Sequence, residues 1–159
     1  GNGLPAVTDP SDSHAMSELM WCGSLSHNSL TGLGGTRDFA VHKLGNELSA
    51  CFDVIHAESL SAMWTAWAEY VCASHPRRFP RLGQAVWDLP GDAPAYRTIQ
   101  AVRSYFRALG MPVSLTELGI PSGQAPRLAD CCSGSGQKTI GAFRVLDRQD
   151  MERIYAAAY

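Results

Sequence analysis

Two histidines, His42 and His56, stand fourteen residues apart, and the stretch between them carries the most chemically suggestive pattern in the chain. A neutral imidazole is a good ligand for a divalent first-row metal, and a pair of them suits iron(II) or zinc. Metal sites of this kind normally use three or four protein ligands, so two histidines make at most part of one. His42, Asn46 and Ser49 recur at helical spacing and share one face of a helix. An imidazole and an amide on an otherwise apolar helix need a partner or water. The bland alternative is a pair of satisfied core histidines. Asp38 or Asp53 could add a local carboxylate, but Asp38 reads better as a helix N-cap, where its oxygens accept the free N–H groups of the first turn.

The five cysteines, Cys22, Cys51, Cys72, Cys131 and Cys132, are odd in number and contain no C-x-x-C. They read as reduced thiols of a cytoplasmic protein, mostly small core residues. The neighbours Cys131 and Cys132 would point apart on a helix, which speaks against joint metal ligation. The glycine-rich run Thr31–Arg37 fits no nucleotide fingerprint and follows no strand, so it reads as a plain loop.

These residues need helices to position them. Asp38 begins a helix whose apolar stripe is Leu44, Leu48 and Cys51 or Phe52. Asp53-Val54-Ile55 breaks it, and His56 opens the next helix. That helix buries Leu60, Met63, Trp64, Trp67 and Val71. Upstream, Asp9 with Pro10 suits a helix start, with Met16, Leu19, Met20 and Gly23 as the buried stripe and His27 packed near its end. Downstream, Ser74-His75-Pro76 punctuates, with His75 a solvated turn residue. Phe79, Leu82 and Val86 then face inward. Asp92, with Pro94 in the first turn, caps a helix carrying Ile99, Val102, Phe106 and Leu109, which Gly110 ends. Ser114 and Glu117 form a capping box for a single turn. A short helix spans 125–132, and Ser133-Gly134-Ser135-Gly136 is a flexible loop. Asp147 caps a last helix burying Met151, Ile154 and Tyr155. No run alternates well enough for a strand, so the fold class is all-α, a bundle of about seven helices.

The chain has 159 residues, 45% of them hydrophobic and 18% charged, with a net charge of −2. That is ordinary for a soluble domain with a real core. Nothing in the charge favours nucleic acid or an anionic membrane, and no apolar run is long enough to span a bilayer. No signal-peptide pattern opens the chain.

The segment Asp38–His56 resembles the second histidine motif of the iron-containing (group III) alcohol dehydrogenases. Four further stretches resemble that family in the same order: Met20–Asn28 (MWCGSLSHN), Leu109–Pro112 (LGMP), Glu117–Ile120 (ELGI) and Ile140–Asp147 (IGAFRVLD). The NAD(P)H-dependent butanol dehydrogenases match best, over about Asp9 to Tyr155. The resemblance implies that His42 and His56 bind the catalytic metal, Fe(II) or Zn, and that Asn46 lies near the nicotinamide. It places Asp38 at a helix start that is not a ligand, and brings Trp64 towards the substrate cleft. It implies a dehydroquinate synthase-like helical domain, present here as its distal part (1–159). The partners are a small alcohol or aldehyde and further copies in a homo-oligomer. An earlier helix supplying an aspartate and a histidine four residues later, and an N-terminal nucleotide-binding domain for NAD(P)H, are implied by the family and absent from these residues. Family members usually carry histidine where this chain has Asn46, and glycine with a small residue where it has Ala57-Glu58. The rival reading is a helical module that keeps the fold without catalysis and binds a partner or only a metal ion.

Overall fold

The computed structural model describes residues 3–159. Eight α-helices occur among them: α1 (Gly3–Thr8), α2 (Ser13–His27), α3 (Ala40–Phe52), α4 (His56–Val71), α5 (Arg78–Trp87), α6 (Ala95–Ala108), α7 (Ala125–Ser133) and α8 (Arg148–Ala157). Short 3₁₀ turns occupy Leu30–Gly32 and Cys72–Ser74. No strand forms among the described residues, and an isolated antiparallel bridge joins Ile140 to Leu146. The all-α class agrees with the sequence reading. The chain divides into two units, one ending at Arg37 and the other running Asp38–Tyr159.

In the first unit the helix start differs from expectation. Asp9 does not cap; its carboxylate accepts the backbone N–H of Ser11 at 3.0 Å and the Ser11 hydroxyl at 2.6 Å, closing a turn. Asp12 is the cap of α2, accepting the Ala15 N–H at 2.9 Å. The proposed buried stripe is also overturned. Ala15 is buried, but Leu19 is 46% and Met20 69% exposed, since the six-residue α1 is too short to cover that stripe. His27 is exposed rather than packed. Its Nδ1 lies 3.1 Å from the Gly23 carbonyl and 3.0 Å from the Ser26 hydroxyl.

The second unit is built around α4, which packs against α3, α6 and α8, while α7 packs on α8 and on α3. Leu44 and Leu48 of α3, Met63 and Val71 of α4, Ile99 of α6, Leu128 of α7 and Met151, Ile154 and Tyr155 of α8 form one buried cluster. The buried Tyr155 hydroxyl donates to the Leu44 carbonyl at 2.9 Å, tying α8 to α3. Helix α3 ends at Asp53, which takes the left-handed conformation (φ 55°), and three residues later α4 begins at His56.

Gly45 sets how close these two helices come. A Cβ there would lie 2.8 Å from Ser59 Oγ and 3.0 Å from Leu60 Cδ2. The same device on α5 explains a correction. Phe79 is buried, but Leu82 is 38% and Val86 58% exposed. Gly83 admits the Thr98 hydroxyl of α6 so closely that the buried edge runs through Phe79 and Gly83 instead.

Asp92 does not cap α6. Pro94 holds that position with extended backbone (φ −61°, ψ 146°), and the residue before a proline avoids the helical region, so the start moves to Ala95. Gly110 (φ 75°) closes α6 as expected, with the Met111 N–H reaching the Phe106 carbonyl at 2.9 Å. Ser114 accepts the Glu117 N–H at 3.1 Å, while Glu117 returns its carboxylate to the N–H of Val113 at 2.8 Å rather than to Ser114. The Ser133–Gly136 loop is fastened: the Ser133 hydroxyl accepts from the Gly136 N–H at 2.9 Å and donates to the Ala129 carbonyl at 2.6 Å. Asp147 and Asp150 form a reciprocal capping box on α8.

Candidate functional site

The joint between α3 and α4 brings the two predicted histidines together. His42, half-buried on the first turn of α3, and His56, exposed at the first position of α4, have ring centroids 5.5 Å apart with planes inclined at 55°. Phe39 presents to His42 in an edge-to-face contact at 5.5 Å and 78°, which restrains that ring. The two helices approach closely at Gly45 and are joined by the three residues 53–55.

The Asp38 carboxylate is committed to the backbone. One oxygen accepts the Ala40 N–H at 2.7 Å, at the start of α3. The other accepts the N–H groups of Ala142 at 2.8 Å and Phe143 at 2.6 Å, from a segment a hundred residues further on. The cap position of α3 falls to Phe39, against expectation, because Asp38 stands one residue before it and reaches only the Ala40 N–H two residues on; Asp38 acts instead as a clamp on the 141–144 loop, which the sequence did not reveal. That loop needs Gly141, whose φ is 89° and whose Cβ position is crowded by the Arg144 carbonyl. Asp53 is an exposed residue of the helix joint. The described residues hold no cluster of three ligating side chains that includes His42 or His56. The donor set fits a divalent first-row ion as half of a coordination shell: two adjacent imidazoles, with room on the exposed His56 side.

Asn46 lies one turn after His42, exposed, at the edge of a recess of about 230 Å³ that Lys43, Glu47, Cys132, Lys138 and Thr139 also line. Trp64 is half-buried in an aromatic cluster with Trp67, Phe79 and Phe106 at 6.2–6.3 Å between centroids. His75 is not simply a solvated turn residue. Its Nε2 sits 2.9 Å from the Phe143 carbonyl and its ring packs edge-on to Phe143 at 4.5 Å, so it buttresses the loop that Asp38 clamps.

The cysteines divide as the helix geometry requires. Cys131 faces out and Cys132 turns inward, its thiol pushed up to about 11 by burial. The sequence reading missed a third relation: Cys131 of α7 comes close to Cys51 and Glu47 of α3. The i,i+4 spacing of Glu47 and Cys51 was the only signal for it.

The all-helical architecture is shared with known proteins. The chain belongs to the Fe-containing alcohol dehydrogenase family, whose C-terminal region matches residues 2–159. Among its relatives is NADH-dependent butanol dehydrogenase A of Clostridium acetobutylicum, 30% identical over 162 residues that cover 99% of this chain and 42% of that protein. The NADPH-dependent aldehyde reductase YqhD of Escherichia coli is 26% identical, covering 99% and 41%. The substrate- and cofactor-free form of YqhD superposes with a TM-score of 0.92 at 26% identity, covering 99% of this chain and 42% of that one. The NADH-dependent butanol dehydrogenase A of Thermotoga maritima does so at 0.91 and 25% identity, covering 97% and 41%. The chain thus spans about two fifths of the length of these relatives.

Proposed function

We propose that this chain is the helical, metal-holding part of an NAD(P)H-dependent dehydrogenase that interconverts a small primary alcohol and its aldehyde. The observation that carries the reading is the pairing of the His42 and His56 rings at the α3–α4 joint. Both rings bind as neutral imidazoles through a nitrogen lone pair, and the remaining ligands come from outside the described residues. A divalent ion, Fe(II) or Zn, held there supplies Lewis acidity to the substrate oxygen.

The chain's own residues do the positioning. Phe39 restrains the His42 ring, the Asp38 clamp fixes the start of α3, and Gly45 lets α4 carry His56 up to it. Asn46 can donate and accept hydrogen bonds one turn from His42, but an amide does not titrate, so it orients rather than relays a proton. NAD(P)H is held mainly by residues beyond these 159, and Asn46 is the cofactor contact from this chain. The five free cysteines suit a reducing compartment, and we place the protein in the cytoplasm as a homo-oligomer. No helix among the described residues is long and apolar enough to cross a membrane.

A chimera tests this reading. This chain replaces the matching 41% of the Thermotoga maritima enzyme, and NADH-dependent reduction of butanal is measured after loading with Fe(II) or Zn. Activity is expected to be metal-dependent and to fall more than about 100-fold in His42→Ala and in His56→Ala, as for loss of a metal ligand. A folded, metal-loaded chimera with no turnover contradicts it. Asn46 favours a second reading, a domain that keeps the fold without catalysis. Recovery of turnover in Asn46→His alone would support that second reading.

A further inference from the structure

Glu47 and Cys51 stand one turn apart on α3, and Cys131 comes from α7, which packs against α3. A carboxylate oxygen of Glu47 and the Sγ atoms of Cys51 and Cys131 all lie within 4.8 Å of one another. Zinc–sulfur bonds of about 2.3 Å in tetrahedral geometry put ligand atoms roughly 3.8 Å apart, so small side-chain rotations close the set around one ion. We propose that Glu47, Cys51 and Cys131 form a binding site for a thiophilic divalent cation of the zinc or cadmium type, separate from the histidine pair.

Three features support the assignment. The Glu47 carboxylate takes part in none of the ion pairs among the described residues, so it is not committed elsewhere. Cys131 is exposed, which gives the ion an entry path and leaves the fourth position to water. The charge also balances. Two thiolates and a carboxylate exceed the cation by one negative charge, and Arg127 acts on Cys51 while Lys43 acts on the adjacent Cys132. Cys132 is excluded as a ligand because it turns towards Tyr155.

On binding, two S–H bonds release their protons to solvent as two metal–sulfur bonds and one metal–oxygen bond form, with no change of oxidation state. Because those protons leave as the metal binds, affinity rises with pH. The site shares no residue with the histidine pair, so it stands or falls independently of the dehydrogenase reading.

The test uses the 159-residue chain under a non-thiol reductant, titrated with Cd²⁺ and followed by the thiolate-to-cadmium charge-transfer band. The band is expected to saturate at one equivalent and to persist in His42→Ala/His56→Ala. It should disappear in Cys51→Ser and in Cys131→Ser, and remain in Cys22→Ser. On the unmodified chain, Cd²⁺ should slow alkylation of Cys51 and Cys131 more than tenfold, read by mass spectrometry, and leave Cys22 unaffected. The second measurement decides the matter if a serine variant fails to fold. A band that survives Cys51→Ser/Cys131→Ser, or an alkylation rate at Cys131 unchanged by the cation, overturns the proposal.

Discussion

Asp38 shows how one side chain can serve two distant parts of the chain. Its three backbone N–H partners include two that lie more than a hundred residues away. Hydrogen bonds to a charged acceptor are stronger than neutral ones, so Asp38→Ala is expected to cost about 3 kcal/mol in urea unfolding. Asp38→Asn should lose less, because the amide oxygen can still accept both the 142 and 143 N–H groups while the NH₂ facing Ala40 cannot accept. Tyr155→Phe removes one neutral hydrogen bond, to a Leu44 carbonyl in a helix, and is expected to cost only about 1 kcal/mol. A larger loss for Tyr155→Phe than for Asp38→Ala would contradict this ranking.

At the level of elements, the helix joint depends on Gly45. Gly45→Ala must push Ser59 and Leu60 away, so α3 and α4 separate. Overpacking of this kind is expected to cost about 2 kcal/mol and to move the His42 and His56 rings apart, which a crystal structure of the variant would reveal. An unchanged ring separation would show that the 53–55 turn alone sets it. The sequence made this region legible because its signals are local. The Asp53–Ile55 break, Gly110 and Asp147 mark ends through their own backbone and side-chain chemistry. The histidine spacing placed both rings at one joint for the same reason. It failed where a neighbouring helix decided the outcome. Leu82 and Val86 follow helical spacing, yet the close approach at Gly83 turns a different edge of α5 inward. The Leu19–Met20 stripe has the right period, but both side chains are exposed among the described residues. The Asp38 clamp joins residues far apart in the chain and no local pattern announces it, while the Glu47–Cys51–Cys131 group shows locally only in the i,i+4 spacing of Glu47 and Cys51.

For the molecule as a whole, acid is the condition to which its charge arrangement is most exposed. The Val113 N–H and then the Arg107 guanidinium hold the Glu117 carboxyl below its ordinary range, and Arg148 does the same for Asp130. A folded-state value below the unfolded one adds stability above the ordinary carboxylate range, and that stability is lost as pH falls through the lowered value. Urea midpoints should therefore decline between about pH 5 and about pH 2. Those of Glu117→Gln should start lower at neutral pH and converge with the parent at the acid end. Parallel curves would assign the acid loss to other groups. The central claim, however, is that His42 and His56 bind one ion together. The measurement that reaches it most directly is NMR of the histidine ring protons in the Cys51→Ser/Cys131→Ser chain during addition of Zn²⁺. The His42 and His56 signals are expected to shift together along one curve, with His14, His27 and His75 unmoved, and His42→Ala should abolish the response of His56. Separate curves for the two rings, or no preference over the other three histidines, would contradict it.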